Sequence, residues 1–102
     1  MPAYLIVTAT VTDRDAFLQS GYPAAAAELT AQYGGEYLLR APGAELLEGT
    51  FGEGASVVVS RWPDKDSAKR FWNSPEYTEV KKLRAELAEC QVLLIEAPEF
   101  SG

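Results

Sequence analysis

The segment Ala55 to Trp62, with Val57, Val58 and Val59 at its centre, constrains the fold more than any other part of the chain. Consecutive valines favour a strand, and a strand sends successive side chains to opposite faces. Apolar residues therefore fall on both faces, as expected of a central strand covered on each side. Ala3 to Val11 poses the same requirement, with Leu5, Val7, Ala9 and Val11 in an apolar row and Tyr4, Ile6, Thr8 and Thr10 in a mixed one. A chain of 102 residues has room for one domain and one core. Its helices can cover one face of a sheet. A second copy of the sheet is the simplest cover for the other, so a homodimer packed sheet to sheet is expected.

The remaining elements follow from local signals. Thr12-Asp13 forms an N-cap, and Leu18, Tyr22, Ala25, Leu29 and Tyr33 recur at helical spacing. Gly21 and Pro23 interrupt that stripe, which predicts a short first segment and a main helix from about Tyr22 to Tyr33. Gly34-Gly35 ends it. Glu36 to Arg40 reads as a second strand, Pro42-Gly43 as a turn, and Glu45 to Gly49 as a short third strand returning antiparallel. In that hairpin Tyr37 and Glu48 share a face and Arg40 lies across from Glu45. Pro63-Asp64 starts a helix with Ala68, Phe71 and Trp72 on its apolar side. Ser74-Pro75 starts another, whose broad face holds Tyr77, Val80, Leu83, Arg84, Leu87 and Ala88. Val92 to Glu96 closes the sheet. The fold class is α+β, a ferredoxin-like sandwich of an antiparallel sheet with helices on one face, dimerising through the other. One domain spans residues 1–97, and residues 98–102 form a tail.

Composition narrows the chemistry. The chain contains no histidine, which removes Ser-His-Asp and Cys-His catalysis and histidine-ligated zinc or haem. Cys90 is the one cysteine, so neither a disulfide within the chain nor a cysteine metal cluster is expected. Its expected place is a helix C-terminus, as a small, partly buried hydrophobe rather than a nucleophile. Fifteen acidic against nine basic residues give a net charge of −6. The densest basic stretch, Lys81-Lys82-x-Arg84, is bracketed by Glu76, Glu79, Glu86 and Glu89, a solvated helix rather than a nucleic-acid footprint. The opening Met1-Pro2-Ala3-Tyr4 carries no basic leader, and nothing approaches the length of a membrane span. No membrane association and a cytoplasmic location are expected.

Several segments, taken in order, resemble the DUF1330 family of the dimeric α/β-barrel superfamily. They are Ala3-Tyr4-Leu5-Ile6-Val7, Gly34-Gly35-Glu36-Tyr37-Leu38-Leu39-Arg40, Leu47-Glu48-Gly49, and Ser74-Pro75-Glu76-Tyr77 followed by Arg84. The resemblance runs from Ala3 to Ile95 and implies a ferredoxin-like dimer. It implies no established activity. The wider superfamily includes cofactor-free monooxygenases, muconolactone isomerases and haem proteins. The haem proteins use a histidine ligand that this chain lacks, so no cofactor is expected.

The candidate site residues are Tyr37, Arg40, Glu48, Trp72, Tyr77 and Arg84. Arg40 can present a guanidinium to a carboxylate at the sheet surface, or pair with Glu45. Arg84 lies two helical turns from Tyr77, either facing a pocket or laying its stem along the apolar face. Tyr37 and Tyr77 can hydrogen-bond a ligand or hold a structural partner. Trp72, with Phe71 and Trp62, lines an aromatic pocket or fills the core. Glu48 is a proton acceptor if its face turns inward beside Tyr37. Three functions are compatible with these residues. The preferred one is a dimer binding a small organic acid between sheet and helices, because arginine near aromatic residues is the functional signal. The others are a cofactor-independent oxygenase or isomerase and a structural or regulatory protein-interaction dimer.

Overall fold

The computed structural model describes residues 1–98. Its strands are β1 (Ala3–Val11), β2 (Glu36–Ala41), β3 (Ser56–Trp62) and β4 (Ala88–Glu96). Its helices are α1 (Arg14–Gln19), α2 (Tyr22–Gln32), α3 (Lys65–Trp72) and α4 (Pro75–Lys81), the last continued by a 3₁₀ turn at Lys82–Arg84. The antiparallel sheet has the order β2-β3-β1-β4. β1 and β2 run parallel with β3 between them, and β3 and β4 run parallel with β1 between them, the split βαβ arrangement.

Local chemistry places the helix boundaries. Asp13 Oδ1 accepts from the Ala16 N–H at 3.1 Å, Asp64 Oδ1 from the Ser67 N–H at 2.7 Å, and Ser74 Oγ from the Tyr77 N–H at 3.0 Å. These caps satisfy donors that helix starts leave open. The break between α1 and α2 falls at Gly21, whose φ of 85° lies in the left-handed region that glycine enters without strain. Gly35 serves a different purpose. A Cβ there would stand 2.7 Å from Cζ2 of Trp62, so the chain can pass over the indole only without a side chain.

The core lies between sheet and helices: Leu5, Ala26, Leu29, Trp62, Ala68, Phe71 and Tyr77. Trp62 is 1% exposed and donates from Nε1 to Ser60 Oγ at 2.9 Å. Cα extents of 36 × 36 × 16 Å are those of one sheet and one helix layer. The opposite sheet face, with Ile6, Val57, Val59, Leu39, Leu93 and Ile95, has no cover among the described residues, and Leu93 is 66% and Ile95 52% exposed. Among the described residues no helix is long and apolar enough to cross a membrane.

Five expectations are corrected. Glu45–Gly49 is not a strand. That segment belongs to a loop closed on itself by Ala44 N–H to the Ala55 carbonyl, Gly54 N–H to the Ala44 carbonyl, and Leu46 N–H to Glu53 Oε2. Among the described residues β2 pairs with β3 alone, and its outer edge carries no strand. The last helix stops at Lys81 rather than continuing toward Ala88, and the closing strand begins at Ala88, not Val92. Thr12 anchors that turn by donating from N–H and Oγ1 to the Leu87 carbonyl. Cys90 consequently stands in β4, not at a helix end. Leu18, expected in the buried stripe, is largely exposed, because α1 ends before the stripe of α2 begins. Ala97, at the end of the expected domain, donates to the Pro2 carbonyl, and residues 99–102 of the expected tail lie outside the described residues.

Candidate functional site

A cavity of about 260 Å³ lies between the sheet and helices α1 to α3, with Arg84 of the 3₁₀ turn beside it. Its floor comes from the helix-facing rows of three strands: Leu5, Val7 and Ala9 of β1, Val58 and Ser60 of β3, Cys90 and Val92 of β4. Phe17, Tyr22, Ala26, Phe71 and Trp72 close it from the helix layer. This apolar wall is where β-strand alternation directs the odd-numbered residues of β1 and the even-numbered residues of β3 and β4.

Arg40 and Tyr37 reach the cavity because β2 is bulged. Tyr37 pairs with Ser60, whereas Leu39 pairs with Val59 and Arg40 with Val58. Two steps on β2 therefore match one on β3, and Leu38 is the extra residue. Tyr37 and Arg40, three apart, share the helix-facing side, where a regular strand would set them on opposite faces. The Arg40 guanidinium lies 5.2 Å from the Tyr37 ring centroid, a cation–π arrangement. Arg40 makes no ion pair with Glu45 among the described residues. The Tyr37 hydroxyl lies 3.4 Å from Thr30 Oγ1, which itself donates to the Ala26 carbonyl.

At the other side of the cavity Arg84 lies 5.4 Å from the Tyr22 ring centroid. The Tyr22 and Tyr77 hydroxyls are 2.7 Å apart. Burial above all, and then the Tyr77 phenol, push the Tyr22 pKa well above the ordinary tyrosine value, so Tyr22 stays a neutral donor. Burial disfavours the Arg84 charge, but the phenol oxygens of Tyr77 and Tyr22 outweigh it and hold its pKa above the usual arginine value. Nε of Arg84 is buried without a hydrogen-bond partner among the described residues. Burial raises the Cys90 thiol pKa, with Arg84 opposing, which keeps the sulfur protonated at neutral pH.

Of the six candidate residues, Tyr37, Arg40, Trp72 and Arg84 line one cavity, and Tyr77 touches it through Tyr22 and through Trp72, its ring centroid 5.3 Å from that of Trp72. Glu48 does not join them. It is exposed in the 42–55 loop, so the predicted face shared with Tyr37 does not form. Trp62 belongs to the core rather than to the cavity wall. Arg14 and Tyr22 join the wall although the sequence reading placed neither in a site. Their signal was the break at Gly21, which separates α1, with Arg14 and Phe17, from α2 and makes Tyr22 the first residue of α2.

Among curated proteins none matches this sequence. Solved structures share the fold. The RPA0582 protein of unknown function from Rhodopseudomonas palustris has a TM-score of 0.74 at 15% identity, over 96% of this chain and 83% of that one. A dimeric ferredoxin-like protein of unknown function from Jannaschia sp. CCS1 has 0.72 at 12%, over 95% and 100%. SnoaB, a cofactor-independent oxygenase from Streptomyces nogalater, has 0.69 at 18%, over 98% and 96%. At such identities the likeness establishes the ferredoxin-like fold and nothing about chemistry. The sequence itself goes further, because residues 2–98 match the domain of unknown function DUF1330. The chain belongs to the DUF1330 family.

Proposed function

We propose that the protein binds a small organic anion in the cavity between sheet and helices and acts as a homodimer. One observation carries the binding reading. Arg14, Arg40 and Arg84 line the cavity, and among the described residues no Asp or Glu does. The chain as a whole has fifteen acidic and nine basic residues, so this wall runs against its overall charge. An anion there gains charge-assisted hydrogen bonds, and the apolar floor takes its hydrocarbon part. A thermal-shift titration with aromatic and aliphatic carboxylic acids tests the reading. Bound acid raises Tm by mass action, and Arg84→Ala abolishes the rise while leaving the circular dichroism spectrum unchanged. No shift with any acid, or an undiminished shift in Arg84→Ala, overturns it.

The dimer reading is supported by the uncovered sheet face and by the dimeric state of the Jannaschia protein. A second functional reading, a cofactor-independent oxygenase, is favoured by the shared fold of SnoaB. The cavity wall restricts how such turnover could start. Among the described residues it contains no His, Asp, Glu or Lys, and Tyr22 and Cys90 are both pushed toward their protonated forms. A substrate would have to enter already ionised, held by arginine rather than deprotonated by a side chain. Oxygen uptake with ionised phenolic substrates, lost in Arg84→Ala, marks the enzyme; binding without uptake marks the binding protein.

A further inference from the structure

The cationic groups of the cavity form two separate stations. Arg84 makes the inner one, over the Tyr22 ring at 5.4 Å, beside the Tyr22–Tyr77 hydroxyl pair. In such a pair one phenolic hydrogen bridges the two oxygens and the other remains to be donated. The buried, unpartnered Nε of Arg84 adds a second unused donor. Arg40 makes the outer station, exposed, with its guanidinium 5.2 Å from the Tyr37 ring centroid.

These stations sit toward opposite edges of the sheet. Arg40 is on the edge strand β2, while Arg84 leads into the edge strand β4 and its charge acts on Cys90 there. Three interstrand spacings separate those strands, about 14 Å between backbones. The register carries a row from Arg40 through Val58 and Val7 to Val92, so the ground between the stations is hydrocarbon. Arg14 adds a third positive charge to the wall.

We infer that the natural ligand carries an anionic group at each end of an apolar or aromatic middle, one held by Arg84 with the tyrosine pair and the other by Arg40. This rests on the anion-binding reading above and narrows it from acids in general to diacids. A monoacid satisfies one station and leaves the other to water.

Isothermal titration calorimetry at about 0.15 M salt, which screens long-range attraction, tests the inference with terephthalate against 4-methylbenzoate. Straight-chain α,ω-dicarboxylates of increasing length, each against its matched monoacid, extend the comparison. The expected result is about five- to tenfold tighter binding of the diacid at the best length. Arg40→Ala, an exposed substitution, removes that advantage, so that the diacid binds no more tightly than its matched monoacid. Equal affinities in the unmutated protein, or a diacid preference that survives Arg40→Ala, overturn the two-ended ligand. If monoacids bind and are lost in Arg84→Ala while diacids gain nothing, the two-ended ligand alone falls. If neither series binds, the anion-binding reading falls with it.

Discussion

Tyr22 and Tyr77, fifty-five residues apart in sequence, meet through hydroxyl oxygens 2.7 Å from each other. The contact ties the start of α2 to α4 and fixes the aromatic end of the cavity. It also has a thermodynamic signature. The folded protein holds the Tyr22 pKa above the ordinary value of 10.0, chiefly by burial, so at high pH the unfolded chain releases a proton that the folded chain keeps. The associated stability is fully present below pH 10 and declines as the pH rises above it. The loss is up to about 1.4 kcal/mol for each pH unit. Denaturant midpoints measured from pH 8 to about pH 11.5 should fall more steeply in the unmutated protein than in Tyr22→Phe. Parallel curves would refute this linkage.

Gly35 and Trp62 yield a second expectation. The indole ring atoms Cζ2, Cε2 and Cη2 all lie within 2.8 Å of where a Cβ on Gly35 would stand, and Trp62 is almost wholly enclosed. Neither partner has open space to move into, so Gly35→Ala should destabilise by about 1–3 kcal/mol through overpacking. Gly43→Ala is the comparison, since no heavy atom lies within 4 Å of its Cβ position and the change there tests only the cost of its positive φ. Urea unfolding of both variants checks this. A Gly35→Ala protein as stable as the parent would place the tryptophan elsewhere.

The open sheet face supplies the third. Leu93 and Ile95 stand side by side on the edge strand β4, two residues apart and on the same face. Leu93→Glu with Ile95→Glu should convert a dimer to a folded monomer, because like charges within an apolar interface lose their water and repel one another. Light scattering at micromolar concentration reads the mass, and circular dichroism confirms the fold. A monomeric parent, or a variant that stays dimeric, removes the sheet-to-sheet dimer.

Much of this architecture could be read from the residues because the decisive signals were local. Asp13, Asp64 and Ser74 cap helices through side chains that reach only three residues ahead, and Gly21 breaks a helix by its own φ. The absent third strand shows where local reading stops. Glu45 to Gly49 alternates like a strand, but the bonds around it close the loop on itself instead of reaching the free edge of β2, and pairing is a property of the whole sheet. The site divides the same way. Arginines and aromatic residues advertised themselves by type, so Tyr37, Arg40, Trp72, Tyr77 and Arg84 were within reach. Their convergence depended on the bulge at Leu38 and on the early end of the last helix, neither of which leaves a mark in residue spacing. Glu48 was misplaced with the hairpin that carried it.

The extra residue at Leu38 has a consequence for how this cavity can change over time. Most deletions in a strand carry every later side chain to the other face. Here the loss of Leu38 would only straighten β2, leaving Tyr37 opposite Ser60, Leu39 opposite Val59 and Arg40 opposite Val58. The spare residue is thus a buffer: at this one point the strand can shorten by a codon and keep its outer charge over the hydrocarbon floor.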